Sequence, residues 1–467
     1  MNKFTYPNRS VPSWIVWTQC VCFSVLYAIW ALPETILIRH ICLIVGALLS
    51  LWVLYRCRSA FLQKNAIPAW LIATLCVWAT FHLFFLSRDF ALQYAEYTTI
   101  WKRTALGAIF ALGFGIALVN NRFNKKNQKL FWTLMYVGLL APTLIYIAKF
   151  ILTHKAAQWG FKVPDYWLLY SSSAPFYLPK TAYVCFCLPT LGIALGQLVR
   201  NIYQGRLYKF ANIVYLATVP TVIFVFYCEN IKNGIVYSAL LLTLFVGVLL
   251  FNHFRENWVS KTVILGIVIL IGALFINHNI QSTPSWHTFL ADAKIALDTQ
   301  THQQWKYNGS QGYPKNELGS RVSTNNFERI AWGKIGLQLI AQHPLGYGLV
   351  ERSFGHLAKI HWPDSILDQS HSGWIDLTLG LGIPGFLLIS TALMILLCQL
   401  IKGLNRLENG VNIATYQMVV WTALFSIGLI WFTTEISQKV YFDNLIFWLS
   451  LAAGMTLVSH SAPKPQN

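Results

Sequence analysis

One histidine, His371, stands out by its place in the chain. It opens the run His371-Ser372, which nine residues separate from Gly382-Ile383-Pro384-Gly385. The run lies where a long polar stretch gives way to apolar sequence. A histidine at the mouth of a membrane helix can titrate near neutral pH and reach water on one side. His371 is therefore a candidate for proton transfer.

The polar stretch and one helix end also carry cations suited to binding an anion: Arg321, Arg329, Arg352 and Lys232. A guanidinium binds phosphate oxygens with two parallel hydrogen bonds and is always charged. The chain has no G-x-x-x-x-G-K-[ST] loop, no Asp-x-Asp and no His-Glu-x-x-His, so we expect neither a cofactor nor a metal. These residues fit a site that binds a lipid diphosphate and uses a histidine to deprotonate an acceptor hydroxyl.

The rest of the chain predicts the elements that hold these residues. Of its 467 residues, 55% are hydrophobic and only 11% are charged, which is too apolar for a soluble protein. Apolar runs of roughly 17–25 residues recur, each long enough to span a bilayer as a helix. The sequence thus predicts an all-α polytopic membrane protein. About twelve runs are evident, the first two of which could be one re-entrant pair: 13–32, 35–55, 67–86, 102–120, 130–152, 179–199, 211–228, 234–251, 261–277, 379–400, 414–433 and 442–459.

The net charge of +18 reflects membrane topology rather than a nucleic-acid partner. The termini and alternate connections hold 17 Lys and Arg but only two acids, Glu256 and Glu408. The opposite side holds another 17 Lys and Arg together with the other 15 acids. This asymmetry is the positive-inside pattern. We therefore expect both termini to be cytoplasmic and the largest loop to lie outside.

That pattern divides the chain into three parts. Residues 1–277 are predicted to form a membrane bundle of about nine helices, and residues 379–467 a three-helix membrane segment. Between them, residues 278–378 form the only stretch of soluble character, and we expect a periplasmic loop carrying short helices. Within the loop, amphipathic sequence after Asn326 predicts a helix that ends at His343-Pro344.

Two motifs and the layout of the spans carry a resemblance to a known family. The motifs are His371-Ser372-x9-Gly382-x-x-Gly385 and the run Glu328-Arg329-Ile330-Ala331-Trp332, followed by His343-Pro344-Leu345-Gly346-Tyr347-Gly348. In these features the chain resembles the bacterial O-antigen ligase and O-antigen polymerase family. The motifs cover about 320–386, and the layout of spans and outer loop covers the whole chain.

The resemblance implies a ligase-type glycosyltransferase of the bacterial inner membrane. Such an enzyme transfers glycan from undecaprenyl diphosphate to lipid A–core on the periplasmic face. The resemblance makes His371 the catalytic base and either Arg329 or Arg321 a ligand of the diphosphate. Lys232, in the run 229–234, takes the place of a family arginine at the outer start of a middle helix. A lysine keeps the cation there but loses the two-pronged hydrogen bonding.

Alternative functions remain open at this stage. Within the family, an O-antigen polymerase and a pilin or protein O-oligosaccharyltransferase share the motifs. From another class, a transporter of polyprenyl-linked glycans also needs many spans, but transporters tend to carry internal repeats and mid-membrane charges. Here the spans are nearly free of charge, with Arg39 and Lys149 the main exceptions. Because no outer carboxylate pair offers a nucleophile, we expect a single displacement that inverts the anomeric configuration.

Overall fold

The computed structural model describes residues 11–120, 123–169, 180–206, 208, 210–252, 266, 287–406, 411–433 and 439–458. These residues form helices and no strand, and the all-α prediction is confirmed. Nine helical segments are long and apolar enough to cross a membrane, and two shorter apolar helices, Ser13–Ile29 and Tyr416–Ile430, add to them in the described part. The predicted span 261–277 and the boundary predicted between residues 277 and 278 lie outside the described residues.

The helices of the membrane part are bounded as follows: α1 Ser13–Ile29, α2 Ile36–Arg56, α3 Ile67–Phe81, α4 Phe90–Glu96, α5 Lys102–Asn120, α6 Lys125–Lys155, α7 Lys180–Tyr203, α8 Phe210–Cys228 and α9 Lys232–Asn252. The outer part contributes α10 Phe289–Leu297, α11 Thr324–Gln342 and α12 Ser353–His361. The chain then returns to the bundle with α13 Gly373–Arg406, α14 Val411–Ile430 and α15 Lys439–Val458. Helix α13 starts six residues before the predicted span because its first turns lie above the apolar run.

Helix α15 is the centre of the bundle, and its spanning part is buried on every side. It packs most closely on α5. A Cβ at Gly115 would lie 2.2 Å from the Leu451 carbonyl oxygen, and one at Gly454 would lie 2.1 Å from that of Leu112. These glycines let the two backbones approach as small residues do in membrane helix pairs.

One ion pair stands at the start of α5 and α15. Arg103 donates to the buried carboxylate of Asp443, which also accepts a 2.7 Å hydrogen bond from the Thr104 hydroxyl. Arg39, near the start of α2, lies within electrostatic range of both charges and donates to the Trp30 carbonyl oxygen. Charges inside a bundle persist only when they are paired and hydrogen-bonded. The pair therefore ties the outer ends of three helices together.

The outer part has its own small hydrophobic core. Trp332 and Phe327 of α11 pack with Trp305 and with residues of α12. Beside this core, the fully buried carboxylate of Asp292 in α10 accepts hydrogen bonds from the Asn316 and Asn326 side chains and from the Ser323 backbone N–H. Asp292 thereby fixes the start of α11, the helix that carries Arg329. The predicted end of this helix is confirmed, because α11 stops at Gln342, just before His343-Pro344.

The turn after α11 locks into a break in α13. Gly382 has φ 71° and ψ 179°, a left-handed conformation that interrupts the helix. The freed backbone groups find partners in the turn, because Tyr347 N–H donates to the Leu379 carbonyl, Gly348 N–H to the Gly380 carbonyl, and Ile383 N–H to the Pro344 carbonyl, each at 2.8 Å. Broken helices occur in membranes only where such partners exist. These hydrogen bonds hold residues 344–348 of one sequence motif against residues 379–383 of the other, and we call this contact the joint.

A segment before α5 braces this joint from the other side. His82 Nε2 donates to the Leu345 carbonyl at 3.1 Å, and the Gln93 amide donates to Nδ1 of the same ring. The carboxylate of Glu96 accepts the backbone N–H groups of Val350 and Glu351 at 2.5 and 3.1 Å. The polar groups of this segment therefore hold the turn that follows α11. Because that turn is bonded to α13, it fixes α11 against α13.

Candidate active site

His371 lies in a tight turn immediately before α13. Its φ is 58°, a conformation that costs a residue with a Cβ about 1–2 kcal/mol. The turn is held by Asp376 in the first turn of α13, whose carboxylate accepts the Ser370 backbone N–H at 2.9 Å. Helix α13 is itself docked on the end of α14, where the Trp374 indole N–H donates to the Gly428 carbonyl at 3.1 Å. Strained backbone of this kind clusters at functional sites.

The imidazole of His371 is stacked on the indole of Trp332. The ring centroids are 5.1 Å apart and the planes are inclined by 15°. Trp332 is buried, and its Nε1–H donates to the Trp305 carbonyl at 2.9 Å. Burial and this hydrogen bond fix the indole ring of Trp332, so it gives the imidazole a rigid surface to stack on. Trp332 of α11 therefore sets the orientation of His371, although Trp332 and His371 are 39 residues apart in sequence.

Glu328 is the carboxylate on the same face of α11, one turn before Trp332. Its side chain is buried, with 7% of the residue exposed, and it accepts a 2.5 Å hydrogen bond from the Tyr313 hydroxyl. Burial raises the pKa of Glu328 above its usual value, whereas Tyr313, His371 and Arg329 all act in the opposite direction. Burial, the Glu328 hydrogen bond and its charge raise the pKa of Tyr313 to about 12, so the phenol remains the donor.

Arg329 follows Glu328 and points to the end of α14. Its Nη1 donates to the Thr433 carbonyl at 3.4 Å, and the side chain is half-buried. Arg329 also lines an open groove of about 580 Å³ along α11, together with Lys334 and apolar residues that include Ile330 and Leu337. The guanidinium therefore stands between the membrane bundle and an accessible surface.

Thr433 brings the start of α9 to the same place. Its hydroxyl accepts from the Asn233 amide at 3.4 Å and pairs with the Tyr237 hydroxyl at 2.9 Å. Lys232 is the first residue of α9, exposed, and adjacent to Asn233. Thr433 thus joins Arg329 on one side to the α9 start on the other, and two of the predicted cations belong to elements that meet here.

Arg321 lies elsewhere. It is exposed and pairs through its backbone with Lys315 in a narrow hairpin between residues 314 and 322. No contact joins Arg321 to His371, Arg329 or Lys232 among the residues that the structure describes. Of the two arginines that the sequence left as rivals, the geometry favours Arg329.

Several residues of this site were given no role by the sequence reasoning. Thr433 and Tyr237 carry no pattern of their own, because their role arises only where α9, α11 and α14 meet. Glu328 and Trp332 stand four residues apart, a spacing that places them on one helix face and could have marked them as a pair. Over the described part of the chain, no three or more His, Cys, Asp or Glu side chains group in a way that could hold a metal ion.

The arrangement combines the His371 base, in the turn before α13, with the buried Glu328 carboxylate and the Arg329 guanidinium of α11. A neutral imidazole can accept a proton from a hydroxyl. A guanidinium beside it can stabilise negative charge as it develops on a leaving group. The site therefore suits transfer of a group from an anionic leaving group to a hydroxyl.

Comparison with known proteins agrees with this chemistry. Residues 222–390 match the family model described as O-Antigen ligase, a stretch that contains Lys232, Arg321, Arg329 and His371. No curated protein matches the chain. The match supports a multi-pass, glycosyl-transferring membrane enzyme of the ligase and polymerase kind, acting on lipid-linked glycan and an acceptor. The match confirms the resemblance seen in the motifs, because residues 222–390 of this chain match the O-antigen ligase family.

Proposed function

We propose that the protein transfers glycan from undecaprenyl diphosphate to the lipid A–core, on the periplasmic face of a bacterial inner membrane. The observation that carries this proposal is the pairing of His371 with α11. Trp332 stacks on His371, and Arg329 lies three residues before Trp332, so α11 both carries the guanidinium and contacts the base. A diphosphate and an attacking hydroxyl need this combination of groups.

The reaction is a single displacement. The imidazole of His371 accepts the proton of the acceptor hydroxyl as that oxygen attacks the anomeric carbon. The bond between this carbon and the diphosphate oxygen breaks, and its electron pair leaves with the diphosphate. Arg329, with Lys232 nearby, stabilises the negative charge that grows on the leaving group more than it stabilises the bound donor. Attack from the face opposite the leaving group inverts the anomeric configuration.

The charge distribution supports the proposed orientation. His371, Thr433 and the start of α9 stand at one end of the bundle, together with the Arg103–Asp443 pair at the starts of α5 and α15. The opposite ends of the described helices carry basic residues with few acids, as in Arg56, Lys126 and Arg200. Because basic connections stay in the cytoplasm, the site end is proposed to face the periplasm.

The nature of the acceptor distinguishes the alternatives within the family. A growing glycan makes the protein a polymerase, and a pilin or other protein makes it an O-oligosaccharyltransferase. Lipopolysaccharide from a deletion strain separates the three. Core without polymer indicates a ligase, core with one repeat unit indicates a polymerase, and unchanged lipopolysaccharide with an unglycosylated pilin indicates a protein-modifying enzyme.

The transfer reaction itself is tested with purified protein, polyprenyl-diphosphate-linked donor and lipid A–core. We expect His371→Ala to bind donor but to transfer almost nothing. Arg329→Ala should lose most transfer, and Arg329→Lys should restore only part of it because the two-pronged contact is missing. Lys359→Ala, an exposed cation of α12, is the matched control and should keep wild-type activity.

Three results would contradict the proposal. Substantial transfer by His371→Ala would return the histidine to a structural role. Wild-type transfer by Arg329→Ala with a large loss in Arg321→Ala would move the diphosphate to the hairpin. A product that keeps the anomeric configuration of the donor would exclude a single displacement, whatever the histidine does. We also expect transfer to persist in excess EDTA.

A further inference from the structure

Glu328 is a buried carboxylate that takes no part in the proposed displacement. It stands in the second turn of α11, beyond the first-turn backbone N–H groups that would favour a negative charge. Burying a carboxylate is costly unless hydrogen bonds or an opposite charge compensate it. Here the Tyr313 hydroxyl supplies one hydrogen bond at 2.5 Å, and the Arg329 guanidinium and the His371 ring lie within electrostatic range.

The position of Glu328 follows from helix geometry. Residues four apart lie on one face of a helix, and Trp332, four residues after Glu328, carries the stacked imidazole of His371. The carboxylate therefore belongs to the same wall of the site as the indole. Tyr313 in turn is fixed by edge contact with Phe327, whose ring centroid lies 5.9 Å away.

We propose that Glu328 is a positioning residue whose carboxylate, held by Tyr313, orients His371 and stabilises the imidazolium that forms during transfer. This inference rests on the proposed role of His371 as the base. The proton that leaves the acceptor hydroxyl resides on the imidazole ring, and the carboxylate balances its positive charge without accepting the proton. The same division of labour between an acid and a histidine operates in catalytic triads.

Two other charged side chains lie on the elements that hold His371. On α13, Asp376 is engaged with the Ser370 backbone N–H, which fixes the turn. On α11, Arg329 is a cation and opposes an imidazolium. The Tyr313 phenol stays protonated near neutral pH, because its pKa is raised to about 12. Glu328 is the anion on the face of α11 that carries Trp332, the residue on which His371 stacks.

The test measures the protonation of His371 without requiring transfer. Diethyl pyrocarbonate modifies an imidazole only in its neutral form, and mass spectrometry reports the extent for the peptide that contains His371. In Glu328→Gln we expect the midpoint of modification to move to lower pH, because removing an opposite charge disfavours the protonated ring. Glu317→Gln, which removes an exposed carboxylate paired with Lys294 at 2.6 Å, is the control and should leave the midpoint unchanged.

Activity gives a second, separate measurement. In Glu328→Gln, the acid limb of the kcat/KM profile should move to lower pH by the same amount, and kcat should fall at least tenfold with KM for the donor unchanged. Glu328→Asp keeps the charge but withdraws it by one methylene, so it should keep the midpoint and lose kcat.

Two outcomes overturn the inference. The first is a wild-type midpoint in Glu328→Gln, and the second is a midpoint that moves only in Asp376→Asn. If Glu328→Gln does not fold, wild-type kcat in Glu328→Asp overturns it instead. Failure of the proposed function is recognised separately, as transfer by His371→Ala, and leaves the modification experiment valid.

Discussion

Replacing Gly382 by alanine tests the joint between the two motifs. The residue has φ 71°, and an added Cβ would lie 2.5 Å from the carbonyl carbon and oxygen of Leu345 and 2.7 Å from the Pro344 oxygen. These are backbone atoms, so no side chain can swing away. The turn must separate from α13 or the helix must rewind, and either change breaks the joint.

The expected cost follows from two contributions. A left-handed conformation costs a residue with a Cβ about 1–2 kcal/mol. The three backbone hydrogen bonds between the turn and α13 each contribute a net stabilisation of about 1 kcal/mol. Gly382→Ala should therefore lower the free energy of unfolding by about 4–5 kcal/mol. Because the joint also fixes α11 against His371, a displacement of about 1 Å should reduce transfer about 100-fold.

The free energy of unfolding is measured by titration with a denaturing detergent, beside Gly247→Ala as the control. Gly247 lies in α9, and an added Cβ there meets no atom within 4 Å. Alanine is the better helix former, so the control should be unchanged or slightly more stable. If Gly382→Ala unfolds at the same point as Gly247→Ala and transfers normally, the joint does not hold the site, and the reasoning is wrong.

Further predictions concern three charged sites. Burial, Arg88 and His361 hold the pKa of His343 below its ordinary value, so the unfolded chain binds the proton first as pH falls. The contribution of His343 to stability should be full above about pH 6.5 and should decline as pH falls towards the lowered pKa of the folded state. Thermal unfolding of His343→Gln should show a weaker dependence on pH. Asp443→Asn leaves Arg103 without its counter-charge and should lower the free energy of unfolding by about 2–3 kcal/mol. This loss is smaller than for a fully buried pair because the Arg103 side chain is 24% exposed. An unchanged free energy of unfolding would show that the pair does not stabilise the fold. Lys232→Arg should retain transfer and Lys232→Gln should reduce it in the same assay, whereas equal activity of both variants would remove Lys232 from the site.

Much of the architecture is already decided by composition. Apolar runs of spanning length must be helices in lipid, because no water is available to their backbone groups. The all-α prediction, the end of α11 at His343-Pro344 and the family resemblance are therefore read directly from local sequence and are confirmed. The choice of His371, Arg329, Arg321 and Lys232 as site residues stays a prediction, although the structure brings the elements of three of them together.

The partners of these residues were decided only by the tertiary structure. The pairing of Trp332 with His371 joins two elements, and the meeting of Arg329 with the α9 start runs through Thr433, more than 100 residues from Arg329 in sequence. Local sequence specifies helix length, breaks and ends, because these depend on neighbouring residues. It does not specify which helix faces meet, because that depends on the packing of all helices at once. Glu328 illustrates the difference, since the sequence shows a charge beside Arg329, and only the fold buries that charge one helical turn from the indole that stacks on His371.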